Sequence, residues 1–396
     1  MTGQRKIAIF TGNRAEYGLL NPVIQAIKEH PALEPYLLVS GAHLDDNFGR
    51  TVEEIRRDGF EVYREVRIDM PEDTLLGTAH AIGTAILDLA GALAELRPDF
   101  LVVYADRFEG FAAVICGSQM AIPTAHIEGG DITEGGALDD TVRHAMTKLA
   151  HLHFTTNEQA AERVRRLGEE PWRIHNVGFP AIDLIARGDY ASPEELERLY
   201  GLDAARPLAI FTQHSVTTEF DRAEEQVRPA LAALEALAAD GVQIIATYPN
   251  NDAGGRRIIA ELERWRRTAP PGVQVHRSLG RRNYHGVLAL CGRAGRGVCL
   301  GNSSSGIKET PALGCPAVNI GSRQNGRLRA ANVIDAGYDR DEIVAAARKC
   351  LWDEEFRALC RRVDNPYGKG EAGPKIAHVL ATQEIGPALI QKKQTL

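Results

Sequence analysis

A glycine- and serine-rich turn, residues 301–306, has residue types suited to binding an anion. It reads Gly301-Asn302-Ser303-Ser304-Ser305-Gly306, follows the apolar run Val298–Leu300 and precedes a segment that can form a helix. In an α/β protein this order directs backbone N–H groups and serine hydroxyls to the carboxyl edge of a sheet. The positive end of the helix dipole then favours phosphate. Glu309, further along the same segment, could accept hydrogen bonds from ribose hydroxyls.

The same turn permits two other interpretations. A serine at a helix N-cap is ordinary and needs no ligand. The turn also resembles the nucleophile elbow of serine hydrolases, but it lacks the second glycine of G-x-S-x-G. No G-x-G-x-x-G follows a strand and no Walker A sequence is present, so dinucleotide-binding and P-loop interpretations lose support.

Charged residues follow other apolar runs. Arg14, Arg107 and Arg323 each stand just after a candidate strand, and together with the serine turn they predict a diphosphate clamp. Asp106 and Glu128 also stand just after candidate strands. Such carboxylates can move protons, although Asp106-Arg107 could equally be a simple cap with an ion pair.

The elements that must position these residues alternate between short apolar runs and longer amphipathic segments. This rhythm predicts helices over 19–30, 74–96 and 138–150, and a helix would place Asp139 and Arg143 on one face. The predicted strands are residues 7–10, 37–40, 100–104, 124–127, 152–155, 208–212, 242–246, 273–276, 298–300 and 317–320.

Strands that are apolar throughout and separated by helices indicate parallel sheets covered on both faces. The fold class is therefore α/β, with two doubly wound, Rossmann-like domains facing a cleft. Polar and turn residues at 187–193 place the junction, giving residues 1–188 as the sugar-side domain and 189–372 as the nucleotide-side domain. Residues 373–396 are expected to form a C-terminal helix and tail.

Composition excludes several classes of protein. The net charge of −7 over 396 residues gives no reason to expect nucleic acid or an anionic membrane as partner. Six cysteines without a C-x-x-C motif indicate reduced thiols, and no apolar stretch is expected to span a bilayer, so a cytoplasmic location is predicted. His151 and His153 alternate on a strand, but no third ligand stands at a suitable spacing, so we expect no metal.

Eight segments, in order, resemble the hydrolysing UDP-N-acetylglucosamine 2-epimerases, from about residue 5 to about residue 380. They are residues 11–18, 106–109, 126–131, 139–144, 248–250, 301–309, 322–324 and 365–368. The resemblance implies a GT-B architecture and conversion of a UDP-N-acetylhexosamine into UDP and the free 2-epimeric sugar. It implies no cofactor, a nucleotide-sugar substrate, and a homodimer or homotetramer.

The resemblance also assigns roles to residues. It implies that Asp106, Glu128 and Asp139 are the carboxylates at the sugar and that His214 is a proton donor or partner of the leaving phosphate. The residues that it places on the nucleotide diphosphate and ribose are Arg14, Arg107, Arg143, Ser303, Ser304, Ser305, Glu309 and Arg323. Arg143 could instead orient a carboxylate.

One departure from the family pattern affects the expected substrate. Relatives usually carry His-Gly before the aspartate, where this chain has Tyr104-Ala105. UDP-N-acetylglucosamine is the expected substrate, with a UDP- or GDP-linked 2,4-diacetamido sugar as the alternative within this chemistry. A glycosyltransferase of the same architecture and a nucleotide-sugar sensor without turnover are the remaining alternatives.

Overall fold

The computed structural model describes residues 3–44, 50–68, 75–132, 138–250 and 253–395. The chain divides into two compact units. Unit 1 comprises Met1–Asp131, Leu138–Asp183 and Gly370–Leu396, and unit 2 comprises Ile132–Ala137 and Leu184–Lys369. The C-terminal segment thus belongs to the first unit.

Unit 1 contains a seven-stranded parallel sheet in the order β3-β2-β1-β4-β5-β6-β7. Its strands are β1 (Arg5–Thr11), β2 (Leu33–Ser40), β3 (Val62–Val66), β4 (Phe100–Tyr104), β5 (Thr124–Ile127), β6 (Leu152–Thr155) and β7 (Ile174–Asn176). The central strands are buried on both faces, as their unbroken apolar sequences require. The strand order reverses between β1 and β4, which is where ligands bind in open α/β sheets.

Unit 2 contains a six-stranded parallel sheet in the order β10-β9-β8-β11-β12-β13, and its order reverses between β8 and β11. Its strands are β8 (Leu208–Thr212), β9 (Gln243–Thr247), β10 (Val273–His276), β11 (Gly297–Gly301), β12 (Ala317–Ile320) and β13 (Val333–Ala336). The two doubly wound, parallel-sheet units confirm the predicted fold class.

Helices separate the strands in both units. In chain order they are α1 (Arg14–Glu29), α2 (Val52–Arg57), α3 (Leu75–Leu96), α4 (Phe108–Gln119), α5 (Leu138–Leu149), α6 (Glu158–Arg166), α7 (Ala181–Ala186), α8 (Pro193–Tyr200), α9 (Ala223–Ala239), α10 (Gly255–Arg266), α11 (Arg281–Cys291), α12 (Ser305–Lys308), α13 (Arg340–Trp352), α14 (Glu354–Cys360), α15 (Ala372–Thr382) and α16 (Pro387–Ile390). Short 3₁₀ turns cover Gly41–His43, Pro171–Arg173, Thr217–Arg222 and Thr310–Leu313.

Sequence reasoning missed the strands β3, β7 and β13, all of which lie at sheet edges. Edge strands are covered on fewer sides, and these three are mostly half-exposed, so their sequences lack a continuous apolar run. The expectation that no segment reaches membrane-spanning length was wrong for α3. By length and composition alone, Leu76–Leu96 would suffice to cross a membrane. One face of this helix, including Ala85, Leu89 and Leu93, is buried in the core of unit 1, as in a sheet-covering helix of a soluble protein.

Candidate active site

Two left-handed residues shape the carboxyl ends of β4 and β5. Ala105 has φ +54° and Glu128 has φ +68°, a conformation that costs a non-glycine residue roughly 1–2 kcal/mol. The Ala105 N–H donates to the carbonyl of Ile127 at 2.9 Å. Since Tyr104 pairs with Ile127 in the sheet register, the turns carrying Asp106 and Glu128 leave neighbouring strands at the same level.

Arg143 on α5 holds one of these carboxylates in place. Its guanidinium is almost fully buried and forms ion pairs with Asp106 and with Asp140, the latter at 3.1 Å. This arrangement supports the orienting role for Arg143 over phosphate binding. Asp139 lies exposed on the first turn of α5, and sequence reasoning did not select its buried neighbour Asp140. The three-residue spacing of Asp140 and Arg143 carried that signal, because positions three apart on a helix are adjacent.

His126, whose role the sequence left open, is fully buried beneath this loop. Its Nε2 lies 2.7 Å from the carbonyl oxygen of Ala105, and its Nδ1 lies 3.1 Å from Thr147 Oγ1. Burial lowers the pKa of His126 to about 3, so the ring is neutral near pH 7. His126 therefore bonds the strained peptide before Asp106.

Two further buried carboxyl groups lie in this unit. Glu16 accepts the Gly12 N–H at 2.9 Å through Oε2, and its Oε1 has no hydrogen-bond partner among the described residues. Burial raises the pKa of Glu16 to about 8, and burial likewise raises the pKa of Glu109, which forms an ion pair with Arg107 at 3.5 Å. Sequence reasoning missed both because glutamates in helices are usually exposed.

The two predicted phosphate-binding arginines of unit 1 are about half-exposed. Arg14 begins α1 and its Nε donates to Glu54 at 2.8 Å, while Arg107 precedes α4 and pairs with Glu109. Each guanidinium already has a carboxylate partner, so binding of a phosphate would have to compete with it.

In unit 2, the serine turn leaves β11 through a glycine that no other residue could replace. Gly301 has φ +117°, and a Cβ there would lie 2.0 Å from the carbonyl oxygen of Thr212. The next residue, Asn302, is buried and accepts the backbone N–H of His214 at 2.6 Å while its Nδ2 donates to the His214 carbonyl at 2.8 Å. This pair of hydrogen bonds joins the ends of β8 and β11 where the strand order reverses.

His214 is therefore fixed at its backbone, and its ring is fixed as well. Its Nδ1 accepts the Asn250 N–H at 3.0 Å, so in the neutral ring the proton is on Nε2. Burial, with the positive charge of Arg323 second, lowers the pKa of His214 to about 3. The free protein thus presents a neutral N–H donor at this position rather than an imidazolium.

The serines and Arg323 provide further donors. Ser305 Oγ lies 2.6 Å from the Tyr284 hydroxyl and 3.0 Å from Ser303 Oγ. Arg323 Nη1 and Gln324 Nε2 donate to the Asn302 carbonyl at 3.2 and 2.8 Å. The predicted helix after this turn is only α12, continued by the 3₁₀ turn Thr310–Leu313. Because α12 is so short, its dipole contributes little, and side chains must supply most of the anion binding.

Glu309, the predicted ribose-binding residue, follows α12 and is buried. His285 Nε2 lies 3.1 Å from Glu309 Oε2, and since a carboxylate only accepts, the histidine nitrogen is the donor. The hydrogen bond fixes the carboxylate while leaving further acceptor capacity for hydroxyl groups.

The histidines considered for a metal have protein partners instead. His151 Nδ1 accepts the Thr124 N–H at 3.0 Å, and His153 Nε2 donates to the buried carboxylate of Glu169 at 2.9 Å. Within the described ranges, no group of three His, Cys, Asp or Glu side chains could hold a metal ion. All six cysteines are buried free thiols.

The predicted site residues therefore form two groups, each at a strand-order reversal. Asp106, Glu128 and Arg143 gather in unit 1, and His214, Ser303, Ser305, Glu309 and Arg323 gather in unit 2. Two doubly wound units of this kind define a GT-B-type protein, and the polar groups fit a nucleotide-sugar enzyme.

Comparison with known proteins identifies the family. A family model described as UDP-N-acetylglucosamine 2-epimerase matches residues 25–381. A hydrolysing UDP-N,N'-diacetylbacillosamine 2-epimerase of Legionella pneumophila is 32% identical over 388 residues, covering 98% of each chain. A UDP-N-acetylglucosamine 2-epimerase of Neisseria meningitidis is 31% identical, again covering 98% of each chain.

A solved structure has the same fold. The crystal structure of a Neisseria meningitidis UDP-N-acetylglucosamine 2-epimerase bound to UDP-N-acetylglucosamine gives a TM-score of 0.79 at 17% identity, covering 95% of this chain and 99% of that one. The chain belongs to the UDP-N-acetylglucosamine 2-epimerase family, and its reaction class is the hydrolysing 2-epimerisation of a nucleotide sugar.

Proposed function

We propose that the substrate is a UDP-linked 2-acetamido sugar, with UDP-N-acetylglucosamine converted by water into N-acetylmannosamine and UDP. The observation that carries this proposal is the division of labour between the two groups of residues. Unit 1 presents strand-end carboxylates, which suit proton transfer at carbon, and unit 2 presents neutral donors and Arg323, which suit a diphosphate.

In the proposed reaction a carboxylate removes the C2 proton and the C1–O bond breaks, with the electron pair leaving on UDP. The product of this elimination is a glycal. Water then adds its hydroxyl at C1, and C2 receives a proton on the opposite face. Asp106, Glu128 and Asp139 are the proposed proton-transfer groups, and an Arg143 side chain that pairs with Asp106 keeps this carboxylate ionised and oriented.

His214 is proposed to donate its Nε2–H to the departing phosphate. A hydrogen bond from a neutral imidazole stabilises the charge that develops on the leaving oxygen, and an adjacent phosphate would raise the low pKa of His214. Ser303, Ser304, Ser305 and Arg323 are proposed to hold the diphosphate, and Glu309 the ribose. Arg14 and Arg107 remain proposed phosphate ligands. A homodimer or homotetramer and a cytoplasmic location also remain predictions.

A UDP-linked 2,4-diacetamido sugar is the second candidate, favoured by the 32% identity to the Legionella pneumophila enzyme. The experiment offers each UDP-sugar alone and identifies both products by chromatography. Free 2-epimeric sugar and UDP, formed without an added acceptor, would support the proposal, and the larger kcat/KM would identify the substrate. UDP release that requires an acceptor would instead identify a glycosyltransferase.

A further inference from the structure

The loop that carries Asp106 is bonded to α5 through a path of buried polar groups. It runs from the Ala105 carbonyl to His126 Nε2 at 2.7 Å and from His126 Nδ1 to Thr147 Oγ1 at 3.1 Å. His126 and Thr147 are both 0% exposed. Thr147 lies one helical turn after Arg143, which contacts Asp106 from the other side.

The protons on this path can be assigned from chemistry. The Ala105 carbonyl only accepts, so His126 Nε2 carries a proton, and Nδ1 of the neutral ring must accept. Thr147 Oγ1 also lies 3.1 Å from the Arg143 carbonyl but has a single proton. Donation to His126 Nδ1 avoids a buried imidazole nitrogen without a donor, so this is the favoured orientation.

Space around the path is tight. A Cβ at Gly129 would lie 2.9 Å from Thr147 Oγ1 and 3.1 Å from His126 Nδ1. The glycine after Glu128 therefore permits the histidine and threonine to meet. The ring cannot tilt away without displacing the turn that carries Glu128.

We propose that Thr147 and His126 are positioning residues that hold Ala105 in its left-handed conformation and thereby place the Asp106 carboxylate for proton transfer. The inference rests on the proposed role of Asp106. Neither residue contacts the sugar in this account. Their effect passes through the Ala105 peptide, which an alanine does not adopt readily at φ +54°.

A double-mutant cycle tests this inference. Thr147→Val keeps the shape but removes the hydroxyl, and we expect kcat to fall about 30-fold with KM nearly unchanged, because a catalytic group is misplaced. Thr147→Ser should stay within about threefold of the parent, since it keeps the donor. Adding Ala105→Gly to Thr147→Val should restore about tenfold of the loss, because glycine takes the left-handed conformation without a constraint.

Two results would overturn the inference: Thr147→Val with unchanged kcat, or a loss that Ala105→Gly leaves untouched, which would indicate a purely structural threonine. An Asp106→Asn variant measured beside them separates the two proposals. If it retains turnover, the role of Asp106 fails, and if it alone is inactive, only the positioning path fails.

Nitrogen NMR of histidine-labelled parent protein gives an independent reading that needs no folded threonine variant. The His126 signals, assigned by their loss in His126→Gln, should show a protonated Nε2 and an unprotonated Nδ1. A proton on Nδ1 would contradict the path.

Discussion

The two strand-order reversals of this protein have the same topology and opposite chemistry. The unit 1 reversal, between β1 and β4, is surrounded by Asp106, Glu128, Glu16 and Glu109, with Arg143 buried among acidic partners. The reversal in unit 2, between β8 and β11, presents hydroxyls, amides and a neutral histidine. One framework thus supplies either proton-transfer groups or anion-binding donors, depending on the few residues that follow each strand.

The pKa values sharpen this contrast. In unit 1 burial raises the pKa of Glu16 to about 8, so a carboxyl group holds a proton near neutral pH. In unit 2 burial lowers the pKa of His214 to about 3, so an imidazole remains uncharged. Both shifts follow from the same cause, since burial disfavours whichever form is charged.

The largest expected effect comes from removing the carboxylates of unit 1. Asp106→Asn and Glu128→Gln should each lower kcat by about 10²–10⁴-fold, because each removes a general acid–base group. UDP affinity, measured by calorimetry, should be unchanged. Glu95→Gln, at an exposed carboxylate on α3, is the matched control. Normal turnover in the Glu128→Gln variant would remove this residue from the mechanism.

An anion-binding residue of unit 2 should give the opposite pattern. Arg323→Ala should weaken UDP binding about 10- to 100-fold, since a hydrogen bond to a charged group contributes roughly 1.5–3 kcal/mol. We expect kcat at saturating substrate to change less than KM. Arg264→Ala, at an exposed arginine that pairs with Glu261, is the control. Unaltered UDP affinity in Arg323→Ala would show that the diphosphate binds elsewhere.

The protonated Glu16 predicts a pH-dependent stability difference. A carboxyl whose pKa rises from 4.5 to about 8 on folding stabilises the native state fully below pH 4.5 and progressively less as the pH rises toward 8. Glu16→Gln keeps an acceptor for Gly12 and cannot ionise. Its free energy of unfolding in urea should therefore gain on the parent by at most about 1.4 kcal/mol per pH unit between pH 5 and 8. A difference independent of pH would mean that Glu16 is ionised throughout.

The smallest effect is expected at Arg14. Its guanidinium is half-exposed and already bonded to Glu54, so Arg14→Ala should change UDP affinity by less than about tenfold, the range of an exposed ion pair. Titration of UDP into this variant and into Arg323→Ala compares the two arginines directly. A larger loss at Arg14 than at Arg323 would shift the main phosphate contact from unit 2 to unit 1.

The sequence predicted the central strands well because they are buried on both faces and apolar throughout. Strands β4, β5, β6 and β8 begin and end at the predicted residues. The edge strands β3, β7 and β13 were missed because their partial exposure erases this pattern. Residues directly after strands, such as Asp106 and Glu128, could be selected for the same topological reason.

What the sequence could not give is which side chains meet across elements. The partner of Asp106 is Arg143, 37 residues away, and the partner of Glu309 is His285. The resemblance supplied Arg143 without its role, and nothing in the sequence indicated His285. The protonation of Glu16 and the neutral state of His214 follow from burial, which becomes visible only in the folded chain.

The central claim is that this protein removes and replaces the C2 proton of a UDP-linked 2-acetamido sugar. Proton NMR in deuterated water, with UDP-N-acetylglucosamine and then a UDP-linked 2,4-diacetamido sugar, tests it most directly. We predict UDP together with the free 2-epimeric sugar carrying deuterium at C2. UDP accompanied by unepimerised sugar that keeps its original C2 proton would contradict the claim, because plain hydrolysis needs no carboxylate at C2.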